Sequence, residues 1–102
     1  MDLRKWLISI AKRVLEILDL TERAKEEKDH EDINKYIDSI VLELTGSIPY
    51  FEKIGKDNDI TIIIMKLNGI KEIRDFNVRR KTVLDIKSFI NRILPPKDGG
   101  DS

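Results

Sequence analysis

From Leu3 onward, side chains that are apolar in all but Thr21 return at alternating steps of four and three residues: Leu3, Leu7, Ile10, Val14, Ile17, Thr21 and Ala24. That period belongs to an α-helix with one buried face, and Trp6, Ala11, Leu15 and Leu18 widen the stripe. Continued at its own spacing, the stripe would bury Lys28, Glu31, Lys35 and Asp38, all of them charged. The register therefore breaks. A second stripe starts at Ile33 and runs through Ile37, Ile40 and Leu44, supported by Tyr36 and Val41. Two helices joined by a short connection pack as antiparallel neighbours. For the second helix the spacing predicts Asp29 as N-cap and Gly46 as C-terminal stop.

The rest of the chain is punctuated by glycine and proline. SIPYFEKIG, residues 47–55, reads as a short helical turn opened by Pro49 and closed by Gly55. In DITIIIMKLNGIKEIRDFNV, Asn68-Gly69 stands between β-branched runs, a strong hairpin signal that pairs Leu67 with Ile70 and Ile64 with Ile73. Ile60, Ile63, Ile64 and Leu67 also fit a helix, with Gly69 as its cap, but consecutive isoleucines lower helix propensity. Val83, Ile86, Ile90 and Ile93 form a last helical stripe, opened by a capping-box-like Thr82 and Asp85 and stopped at Pro95. The expected fold is α+β: an N-terminal antiparallel helical hairpin, a β-hairpin and a C-terminal helix around one core, with an all-α helical bundle as the alternative. Residues 1–94 form one compact domain on this reading, and 95–102 a disordered tail.

Composition narrows the functional classes. The 102 residues carry 19 Lys plus Arg against 19 Asp plus Glu and no cysteine, so a disulfide framework and a thiolate metal site are excluded. Glutamine is absent and about one residue in six is isoleucine, a thermophile-like composition that an AT-rich genome would also produce. The apolar run WLISIA is too short to span a membrane, and Lys12 and Arg13 interrupt it as a signal peptide would not. The expected location is cytoplasmic.

Catalytic and metal chemistry find little to use. His30 is the only histidine and lies in the polar stretch TERAKEEKDHED, where it reads as an exposed connection residue. Asp57 and Asp59 suggest the start of a calcium loop, but Ile62 and Asn68 stand where that loop needs Gly and Glu. No phosphate-cradling glycine loop occurs, and Ser9, Ser39, Ser47 and Ser88 lack a nucleophile motif. No catalytic residue, metal ligand or cofactor is assigned, and the expectation is a protein that is not an enzyme.

One cluster asks for an explanation. Arg79, Arg80 and Lys81 stand directly before the expected last helix, where the helix dipole disfavours cations. With Lys66 and Lys71 at the hairpin tip and Arg74 on its return strand, they would form a basic ridge able to hold a nucleic-acid backbone. The plainer reading is a solvated bend. The first expectation for function is a small protein-interaction module, an accessory subunit or adaptor docking on a larger macromolecular assembly through its broad apolar stripes. Direct binding of a DNA or RNA backbone through Lys66, Lys71, Arg74, Arg79, Arg80 and Lys81 is the alternative.

Overall fold

The computed structural model describes residues 2–95. Four helices account for nearly all of them: α1 (Leu3–Arg23), α2 (Glu27–Glu52), α3 (Asp57–Ile70) and α4 (Phe76–Ile93). Each packs on its neighbours in the chain and α4 closes back on α1, which leaves α1–α3 and α2–α4 as the diagonals. The result is an up-down-up-down bundle of 47 × 22 × 18 Å.

Every helix contributes one stripe to the interior. Leu7, Ile10, Val14 and Ile17 come from α1; Ile33, Ile37, Ile40, Leu44 and Phe51 from α2; Ile60, Ile63, Leu67 and Ile70 from α3; Val83, Ile86, Ile90 and Ile93 from α4. Cross-links set the registers. Arg13 of α1 pairs with Glu43 of α2 and donates to the Ser39 hydroxyl (3.1 Å), while Arg4 reaches the Pro95 carbonyl (3.0 Å) at the far end of α4. Beyond Pro95 the expected disordered tail lies outside the described residues.

The β-hairpin is not formed, and no strand occurs among the described residues. Residues 57–70 are helical throughout, so the fold is an all-α bundle and the α+β expectation is corrected. The backbone is incompatible with a hairpin. A two-residue hairpin turn at Asn68-Gly69 needs positive φ at one or both central residues, and neither has it. The packing gives the reason: Ile60, Ile63, Leu67 and Ile70 fill the groove between α2 and α4, and that burial outweighs the modest propensity cost of β-branched residues.

Three helix boundaries also differ from expectation. Glu26, not Asp29, is the N-cap of α2; the Asp29 carboxylate accepts from the Lys25 and Glu26 amides (2.9 and 3.0 Å) one turn in. Gly46 does not stop α2, which runs through Pro49 to Glu52. It ends in a Schellman motif: Gly55 (φ 70°) donates to the Glu52 carbonyl (3.1 Å) and Lys56 to the Phe51 carbonyl (2.8 Å). Finally, α4 begins at Phe76 rather than Thr82, because the Asp75 carboxylate caps it by accepting from the Val78 amide (3.0 Å).

Candidate functional site

Moving the start of α4 back to Phe76 changes what Arg79, Arg80 and Lys81 are. They are not a bend before a helix; they occupy its second turn, one facing inward and two outward. Arg79 lies on the core stripe with Val83 and Ile86, and only 1% of its surface reaches solvent. Its Nη1 donates to the Thr21 hydroxyl (2.9 Å) and its Nη2 to the Ile70 carbonyl (3.0 Å). Among the described residues Nε has no partner and no carboxylate lies within salt-bridge distance. Burial, with a smaller contribution from the Arg74 charge, pushes its pKa below the usual arginine value.

A buried cation without a counter-ion is costly unless something else supplies negative potential. Here Thr21 lies in the last turn of α1 and Ile70 is the last residue of α3, so the guanidinium spans two helix C-termini. Each end carries roughly half a negative charge. Together they offset the arginine. The signal in the sequence was the spacing Arg79–Val83–Ile86–Ile90, which continues the stripe one step earlier.

The remaining ridge cations are placed apart by the helical geometry. Lys66 on α3 pairs with Asp85 on α4 (2.7 Å), Lys71 just beyond α3 pairs with Asp38 on α2 (2.7 Å), and Arg74 forms a fork with Glu27 at the start of α2. These pairs hold the Asp85 and Glu27 carboxyls below their usual pKa. Arg80 and Lys81 are exposed with no ion pair among the described residues, and with Asn77 and Val78 they line a shallow depression of about 350 Å³.

His30 is half-buried inside the first turns of α2 rather than exposed in a connection, and its Nδ1 has no partner among the described residues. Among the described residues no group of three or more His, Asp or Glu side chains is placed to hold a metal ion, and no helix is long and apolar enough to cross a membrane. An open groove of about 410 Å³ separates the end of α1 from the start of α2, floored by Leu20, Ala24, Ile33 and Tyr36 and edged by Arg23, Asp29 and Asp32. Most apolar side chains are consumed inside the bundle, but Leu42 on α2 is 74% exposed and Met65 on α3 is 67% exposed. Both point away from the core stripes of their helices: Leu42 stands between Ile40 and Leu44 on the outer side of α2, and Met65 between Ile63 and Leu67 on that of α3. No family model matches this chain, and neither the curated proteins nor the solved structures hold a match to it.

Proposed function

We propose that this chain is a small non-enzymatic interaction module, an accessory subunit or adaptor, whose contact surface is the outer side of α2 and α3. The observation that supports this reading is the pair Leu42 and Met65. Their side chains are apolar, central in their helices and turned away from a core that is already closed without them. Neither side chain is needed to close the core, so both are free to meet a partner. The broad N-terminal stripes supply no such surface, because α4 and α2 cover them.

The test is co-purification from native extract with the wild-type chain and with a Leu42→Glu/Met65→Glu variant whose circular dichroism and melting are unchanged. A stoichiometric partner that elutes with the wild type and is lost from the variant is expected. Equal recovery of the same partner by both chains would refute this surface.

Arg80 and Lys81 favour a second reading, contact with a nucleic-acid backbone at the start of α4. It rests on two exposed cations rather than the six of the expected ridge, since Lys66, Lys71 and Arg74 are in ion pairs and Arg79 is internal. Two phosphate contacts give a shallow salt dependence, a log–log slope of about −2 on duplex DNA. Fluorescence anisotropy with Arg80→Ala/Lys81→Ala checks this: binding that survives the double substitution unchanged would remove the reading.

A further inference from the structure

The segment SIPYFEKI, residues 47–54, lies between Gly46 and Gly55 and forms the last two turns of α2 with the turn after them. Three helix-weakening features meet where it begins. Gly46 sits mid-helix with ordinary φ, and a Cβ added there would meet nothing within 4 Å, so neither backbone geometry nor close packing demands glycine. The Ser47 hydroxyl turns back to the Leu44 carbonyl (2.7 Å) and the Thr45 hydroxyl to the Val41 carbonyl (2.9 Å), bonds that compete with the helix ladder. Pro49 has no N–H, so the Thr45 carbonyl lacks its helical donor.

Beyond this weak point the segment is held by Phe51 and, at its base, by buried Ser47 and half-buried Ile48. Phe51 is its one fully buried large side chain, set against Trp6 with ring centroids 6.0 Å apart. Tyr50, Glu52, Lys53 and Ile54 are exposed. Gly55, with its left-handed φ of 70°, closes the segment in the Schellman turn and is the point where the chain can change direction without a Cβ clash. A stretch bracketed by two glycines and held chiefly by Phe51, with Ser47 and Ile48 packed at its base, has the features of a low-stability local unit.

We propose that residues 47–55 are a hinged flap: α2 unwinds locally at Gly46–Pro49, swings about Gly55 and withdraws Phe51 from Trp6, uncovering the apolar end of the bundle where α1 begins and α4 stops. The opening is separate from global unfolding and independent of which partner the outer side of α2 and α3 takes.

Hydrogen exchange at single-residue resolution tests it. The amides of Tyr50, Phe51, Glu52 and Ile54 are expected to share one opening and to exchange at least about tenfold faster than those of Ile37–Leu44. A Gly46→Ala/Pro49→Ala variant should slow them by about a hundredfold or more relative to the core. Gly69→Ala, which changes a helical glycine in α3, should leave that difference between flap and core in place. Two results overturn the proposal: flap amides that exchange no faster than the core in the wild type, or a fast flap whose rate ignores the substitutions at Gly46 and Pro49, which is simple end fraying.

Discussion

Replacing Arg79 by methionine should leave the protein as stable as before or make it more so, although it deletes two buried hydrogen bonds. The bonds to Thr21 and Ile70 are charge-assisted, contributing about 1.5–3 kcal/mol each. The two helix C-termini add about 0.3–1 kcal/mol apiece. Against these stand a desolvation cost of several kcal/mol for the ion and about 1–3 kcal/mol for the unmade bond at Nε. The two sides nearly cancel. Nor does methionine orphan the former partners: the Ile73 amide still donates to the Ile70 carbonyl (2.9 Å), and the Thr21 hydroxyl still donates to the Ile17 carbonyl (2.7 Å). By analogy with other buried ions replaced by apolar side chains, Arg79→Met should change stability by zero to about +3 kcal/mol. Urea denaturation followed at 222 nm measures this, and each kcal/mol moves Tm by about 4–8 °C in a domain of this size. Arg79→Ala is the contrast: it leaves a cavity and should cost about 2–4 kcal/mol. A loss above about 1 kcal/mol in Arg79→Met itself would refute the reasoning, because the helix ends and hydrogen bonds would then outweigh desolvation.

Other consequences follow from the same geometry. The carboxyls of Glu27, Asp29 and Asp85 have depressed pKa values, from Arg74, from backbone amides and from Lys66 respectively. Their stabilisation is complete above the unfolded carboxylate pKa of about 4 and is lost as pH falls through the lower folded values. Melting temperature should therefore fall below about pH 4, and Glu27→Gln should remove part of that slope. Gly69→Ala should stabilise by about 0.5–1 kcal/mol, since the position is helical and a Cβ there meets nothing within 4 Å; a hairpin turn would make the same change destabilising, so thermal melts decide between the two conformations. Gly55→Ala should cost about 1 kcal/mol or more by forcing a Cβ into the left-handed region of the Schellman motif, again read by melting.

The stripes of α1, α2 and α4 could be read from spacing because each carries a buried residue at every third or fourth position over several turns. Residues 57–70 could not, because TIIIMKL is apolar at consecutive positions and the helix and hairpin templates both claim it. What decided the matter was non-local. The other three helices leave a groove of helical width, and the Ile60–Ile63–Leu67–Ile70 face fills it, with Ile64 beside that face and Ile62 and Met65 left outside. Local punctuation misled in the same way at Gly46 and Pro49, which tertiary packing of Ser47 and Phe51 carries through as helix.

The candidate site dissolved for a related reason. A hairpin would have aligned Lys66, Lys71 and Arg74 along one ridge by its period of two. A helix and the turn after it instead send them to different neighbours, so Lys66 faces α4 while Lys71 and Arg74 face α2, each meeting a carboxylate there. Arg79 explains why cations could cluster near this helix start at little cost. The unfavourable end of α4 is covered by Asp75, and the negative ends of α1 and α3 lie beside the second turn. An antiparallel bundle always places the C-termini of two helices next to the N-termini of the other two. A positive charge at position 79 is thus matched by the topology itself, a relation between helices that no spacing along one of them contains.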